Sequence, residues 1–193
     1  MGQTYERIEG RIRAFIDDQP VFFTATAPLA GDGHVNLSPK GRKGTLVVLD
    51  GLTLAYLDFG GSGAETIAHV RENGRITLMW CAFSGPPKVL RVHGRGEAVF
   101  RDDPRWAELI RHFGDADGAG ARAVIVVHAR RISDACGFAV PFMDYQAERT
   151  QHAEHLARKT DEEFAAYCET KPHVGVSLDG LPALPLPLPA RTD

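Results

Sequence analysis

The sequence predicts a mainly β domain with flanking helices: six mostly antiparallel strands curled into a split barrel. Three observations carry this. Short β-branched and aromatic runs recur from Val21 to Ile132, separated by glycine-rich turns. Asp50-Gly51 is a hairpin signal between two such runs. Patterns with helical spacing occur mainly before, between and after the strands, where they can cover a sheet.

At the start, Ile8, Ile12, Phe15 and Ile16 recur at helical spacing among charged residues, which predicts an amphipathic helix over 3–18, ended by Pro20. Val21–Ala27 and His34–Ser38 read as a strand pair joined through Gly31-Asp32-Gly33. Gly41-Arg42-Lys43-Gly44 is a basic loop before the short apolar run Thr45–Leu49. In the strand Leu52–Asp58, alternation sets Leu54, Tyr56 and Asp58 on one face and Ala55 and Leu57 on the other. Gly60-Gly61 breaks that strand, and Ser62 with Glu65 fits a capping box opening a helix that closes near Asn73-Gly74.

Arg75–Cys81 and Lys88–Phe100 are the next strands, the second bent or bulged at Gly94 or Gly96. Asp102-Asp103-Pro104 begins a helix whose buried stripe is Trp106, Leu109, Ile110 and Phe113. Arg122–Ile132 is the last strong strand. Beyond it, Cys136–Phe142 reads as extended chain, 145–159 as a charged helix, and Thr160–Glu163 as a second capping box. The tail from Leu181 to Ala190 alternates proline with leucine and alanine, a polyproline-like or disordered pattern. The organisation expected is a barrel domain over 1–144 and a helical, proline-rich extension over 145–193 packed on it.

Composition narrows the function classes. The 193 residues suit one ordinary domain. A formal net charge of -3 offers no field for nucleic acid. Three widely spaced cysteines fit neither a disulfide framework nor a zinc site. No apolar run is long enough to span a membrane and the N-terminus is polar, so a cytoplasmic protein is expected.

Chemistry-bearing residues are few. The Gly60–Gly63 turn at a helix start offers amides to a phosphate, or is an ordinary turn with a capping serine. It matches neither the dinucleotide nor the NTP-binding glycine pattern. Lys40, Arg42 and Lys43 are either a phosphate clamp or solvated loop charge. Arg91, between Leu90 and Val92, needs a cofactor or an ion-pair partner. His152 and His155 read as a solvated surface pair without a third metal ligand, and Cys81 as a packed thiol. No side chain stands out as a general acid or base.

One series of motifs goes further. Asn36–Lys40 ends a strand in lysine, and Tyr56-Leu57-Asp58 ends another. Ser62 opens a helix that closes at Asn73, Leu78-Met79-Trp80 follows, and the last strand reads Arg91-Val92-His93-Gly94-Arg95-Gly96-Glu97. In order and spacing this resembles the pyridoxamine 5'-phosphate oxidase-like, FMN-binding split-barrel superfamily. The resemblance implies FMN, or in some branches a deazaflavin coenzyme or haem, bound at a homodimer interface. It implies Ser38, Lys40, Tyr56, Asp58, Ser62, Gly63, Thr66 and Arg91 as cofactor-binding residues. The activity implied is hydride transfer through the flavin to or from a small-molecule substrate, with a non-catalytic cofactor carrier as the competing class. The family oxidases follow the helix-opening serine with Arg-Lys, whereas Gly63-Ala64 stand here, which leaves backbone amides and Thr66 to meet a phosphate. The arginine-rich C-terminal motif of those oxidases is also absent.

Overall fold

The structure is a computed structural model that describes residues 2–61, 63–114 and 120–185. Among these residues, eight strands form one antiparallel sheet: β1 (Thr4–Tyr5), β2 (Val21–Thr26), β3 (Asn36–Gly41), β4 (Leu46–Asp50), β5 (Thr53–Phe59), β6 (Arg75–Cys81), β7 (Val89–Val99) and β8 (Ala121–Ala135). Their order is β3-β2-β6-β7-β8-β5-β4, with β1 pairing β8 off this path. The sheet curls until its two ends approach. Phe22 of β2 meets Tyr56 of β5 at 5.3 Å between ring centroids and stacks on Trp80 at 5.9 Å. The mainly β, half-barrel class therefore holds, with two strands more than the six expected.

The curl has local causes. β7 and β8 shift register between His93 and Gly94, where a bulge bends the ladder. A β-carbon at Gly94 would stand 2.3 Å from the His128 carbonyl oxygen, so the close approach requires glycine. On the concave side lie Leu54, Tyr56, Leu78, Trp80, Leu90, Val92, Ile125 and Ile132, all almost wholly buried. The convex side of β5, β7 and β8 holds a second core of Ala55, Leu57, Val99, Val124 and Val126 around Phe113. The alternation read from Leu52 to Asp58 is the division between these two cores.

Among the described residues, six helices flank the sheet: α1 (Gly10–Asp18), α2 (Glu65–Glu72), α3 (Trp106–Ile110), α4 (Gln151–Ala157), α5 (Asp161–Thr170) and α6 (Pro172–Gly175). Helix α1 is shorter than the 3–18 expected, because Thr4 and Tyr5 pair with Ser133 and Ile132. Helix α2 begins at Glu65, with Ala64 as its N-cap and no side-chain cap, rather than at the expected Ser62, which lies outside the described residues. The Glu65 carboxylate instead accepts the Leu178 amide at 3.3 Å. The Thr160–Glu163 capping box does form at the start of α5.

Only Phe113 of the expected α3 stripe is buried; Trp106, Leu109 and Ile110 are at most half-buried against the second core. The charged helix expected over 145–159 is confined to α4, and α6 was not expected. Leu156, Phe164, Cys168, Val174, Ala183 and Leu184 join the concave-side core, so the C-terminal extension packs on the barrel. Ala183 and Leu184 are thus ordered core residues, against the polyproline-like or disordered expectation, whose remainder from 186 lies outside the described residues. Among the described residues, no helix is long and apolar enough to cross a membrane.

Candidate functional site

Asp58 is the centre of the site. It ends the concave face of β5 and is 2% exposed. An ionised carboxylate there must be paired. Arg122, at the start of β8, donates from Nε to Oδ1 at 2.6 Å, and Lys40 of β3 donates from Nζ to Oδ2 at 3.4 Å. Burial alone would raise the Asp58 carboxyl, but the two cations outweigh it and hold it below the usual carboxylate range.

Arg122 also organises the glycine turn. It donates to the carbonyls of Val174 at 3.0 Å and Gly63 at 2.6 Å, and more weakly to Gly61 at 3.5 Å. The Gly60 amide donates to Gly120 and its carbonyl accepts from His152 Nε2 at 2.8 Å. The Phe164 ring sits where a β-carbon of Gly60 would be, 2.4 Å away, so this glycine makes room for the extension. The Gly63 amide donates to the His173 carbonyl at 3.2 Å and is not free for a ligand. The expectation of an open set of turn amides is corrected at that residue: α6 takes the bond.

A second, neutral network lies beside the first. Ser38 donates to Asn36 Oδ1 at 2.7 Å, and Asn36 Nδ2 donates to Thr26 and Thr66, each at 3.0 Å. Thr26 and His69 Nδ1 are 2.9 Å apart. Thr26 thus bonds both Asn36 and the imidazole, whose other ring nitrogen is Nε2. That nitrogen is buried without a partner among the described residues, and burial pushes the imidazole below its ordinary range. The Tyr56 phenol, 1% exposed, meets the Thr24 hydroxyl at 3.5 Å; burial, then the Asp58 charge, pushes it well up, so it stays neutral.

The expected site residues therefore separate. Ser38, Thr66 and Tyr56 belong to the neutral network, and Tyr56 and Asp58 turn their side chains into the barrel. Ser62 lies outside the described residues. Arg91 stands half-buried on the convex face of β7 and does not line the cleft described next. Lys40 does line it: a cleft of about 290 Å³ bounded by Pro39, Lys40, Thr45, Phe59, Gly61, Arg122 and His152.

Arg122 and His152 were missed in the sequence. The signal applied to Arg91, an arginine beside an apolar strand run, fits Arg122 equally well. His152 is exposed, as a surface histidine is expected to be, yet its ring is bonded to Gly60 and packs edge-on against Phe59 at 6.2 Å. Its partner lies 92 positions away, and no local pattern announces it. Cys81 is buried as expected, and burial raises its thiol.

Residues 8–136 match the family model described as Pyridoxamine 5'-phosphate oxidase. The chain belongs to the pyridoxamine 5'-phosphate oxidase family. A curated relative, the pyridoxamine 5'-phosphate oxidase family protein ustO of Aspergillus flavus, is 40% identical over 141 residues, which are 72% of this chain and 56% of the relative. The chain thus spans little more than half of that relative's length. Among solved structures, a single-substitution variant of HupZ from Group A Streptococcus has a TM-score of 0.54 at 19% identity, over 66% of this chain and 99% of that one. A second HupZ structure from the same organism gives 0.50 at 20% identity, over 62% and 86%. At such identity these two show a shared fold. The family match covers β2 to β8 and so contains Lys40, Asp58 and Arg122, while His152 and the α6 carbonyls lie beyond it.

Proposed function

We propose that the protein binds FMN and acts as a flavin-dependent oxidoreductase on a small-molecule substrate. The observation that carries this is the Lys40–Arg122 side of the cleft. Two cations share one buried carboxylate, so the cluster keeps one formal positive charge beside Gly61 and Thr45. That surplus suits a single phosphate monoester. Lys40, half-exposed, would meet the phosphate directly, and Arg122 would hold the turn beneath it. Ser62 is proposed as a further phosphate ligand. Leu57 and Phe59 would shield the bound group from water. When bound, the flavin itself supplies hydride chemistry.

About 290 Å³ is at the small end for a pocket that must bury a whole cofactor. The ring would extend past the mouth, and a second copy covering it fits the homodimer read from the sequence. A deazaflavin coenzyme and haem are also anionic and are the competing ligands.

The test is titration of apoprotein with FMN, a deazaflavin coenzyme and haemin, followed by absorbance and fluorescence. Lys40→Met is expected to weaken FMN by about tenfold or more, one charged hydrogen bond contributing roughly 1.5–3 kcal/mol. Lys43→Met, in the glycine-bounded loop, should change little, and thermal melts of both variants control for folding. Equal losses would move the phosphate away from Lys40. Far tighter binding of haemin or deazaflavin would overturn the flavin assignment. Turnover with a reduced nicotinamide donor separates an enzyme from a carrier.

A further inference from the structure

The convex face of β6, β7 and β8, beyond the second core, collects positive charge in an unusual way. Across an antiparallel ladder, directly opposed residues point to the same side of the sheet. Opposed pairs here are Arg75 with Arg95, Arg95 with His128, and His93 with Arg131. Arg91, two residues from His93 on β7, shares that face. The chain as a whole carries a net charge of -3, so the accumulation is local.

Like charges directly opposed on a sheet are destabilising. Ordinarily a carboxylate intervenes. The nearest candidate on this face, Glu97, is taken by Arg105 at 2.8 Å and His128 at 3.4 Å. Among the described residues, Arg91 and Arg131 have no hydrogen-bonding or ion-pairing side-chain partner. His93 is held by the Thr77 hydroxyl at its Nδ1, 3.0 Å away, which fixes the ring. Burial, then the charges of Arg91 and Arg131, keep its imidazole below the ordinary range. Arg91 and His93 are half-buried, so their positions are set by the strand rather than by solvent.

We propose that this face is a second ligand site, which takes a small phosphate-bearing anion between Arg91, His93 and Arg131. The three groups lie on two neighbouring strands, which stand about 5 Å apart, with residues of one face about 7 Å apart along a strand. That footprint suits one or two phosphate groups rather than a long polyanion. Two guanidiniums supply paired donors in a fixed geometry. The imidazole can add a third donor by taking a proton as the anion arrives. The site is independent of the flavin reading, since none of the three residues lines the Lys40 cleft.

The experiment is calorimetric titration of the whole chain with inorganic pyrophosphate at moderate salt. It uses the native protein and the variants Arg91→Gln, Arg131→Gln and Arg130→Gln. Arg130 is exposed and occupies the unpaired bulge position, so it reports non-specific attraction. Saturable binding is expected, weakened about tenfold or more by Arg91→Gln and by Arg131→Gln, and within about twofold of native for Arg130→Gln, tenfold corresponding to 1.4 kcal/mol. Bound pyrophosphate should also raise the midpoint of the His93 imidazole followed by NMR. No saturation into the millimolar range, or equal losses for all three variants, would overturn the site. Lys40→Met separates it from the cleft: pyrophosphate binding that persists in that variant supports two sites, and loss of both FMN and pyrophosphate on Arg91→Gln would reduce them to one.

Discussion

The two faces of the sheet handle charge in opposite ways. On the concave side, the buried cluster is fully answered. Asp58 has two cations, and Arg122 spreads its donors over a carboxylate and three carbonyls. On the convex side, cations stand opposite one another, and Arg91 and Arg131 go unanswered among the described residues. The difference teaches what each face is built for. A buried charge without a partner costs several kcal/mol, so the interior tolerates only closed sets. Half-exposed strands tolerate repulsion of roughly 0.2–1 kcal/mol per opposed pair, which leaves charge available for something outside the chain.

The sharpest way to break this comparison is Asp58→Asn. It leaves Arg122 buried against a neutral amide, and a loss of about 3–5 kcal/mol in denaturant unfolding is expected. A small loss would show that the cluster is not closed. The pH dependence has a defined sign. The folded Asp58 carboxyl lies below its unfolded value, so its contribution is complete above about pH 4 and is lost as the pH falls through the folded value. The native chain should therefore lose stability steeply in that acid range, and Asp58→Asn should flatten that part of the profile.

Thr26→Val tests the neutral network. It removes the hydroxyl that bonds both Asn36 and His69, both buried, at almost constant shape. The expected cost is about 1–3 kcal/mol, read from the urea midpoint. An unchanged midpoint would mean that water or a second conformer already satisfies these groups.

The smallest effect should have the opposite sign. At acid pH, where His93 takes a proton, Arg131→Gln relieves its opposition to His93 and should stabilise the apoprotein by about 0.2–1 kcal/mol. The same substitution is expected to weaken anion binding at the face. Stability gained together with affinity lost is the signature of charge kept for a ligand; a loss of stability would instead give Arg131 a structural role.

Much of the barrel was legible because its signals are local. The strand Thr53–Phe59 sorted its residues between two cores by a period of two, and Asp50-Gly51 closed the hairpin that alternation suggested. Gly94 marked its own bulge. Thr160 and Glu163 capped their helix within one turn. The Ser62–Glu65 pattern was equally local, yet the helix opens at Glu65 behind Ala64, and the Glu65 carboxylate accepts from Leu178, 113 residues away. Arg91 and Arg122 carry the same sequence signal, an arginine among apolar strand residues, yet one faces outward and the other inward.

The sequence by itself determined which segments are strands, which residues share a face, and which motif series places the chain in its family. Those properties depend on neighbours two to four positions away. Only the tertiary structure decided which charges are closed and which are left open. Asp58 and Arg122 are 64 positions apart, and Lys40 and Asp58 are 18 apart. Whether such a charge is paired depends on what the curled sheet and α6 bring across to it, and burial, which sets the cost of leaving it unpaired, exists only once the chain has folded.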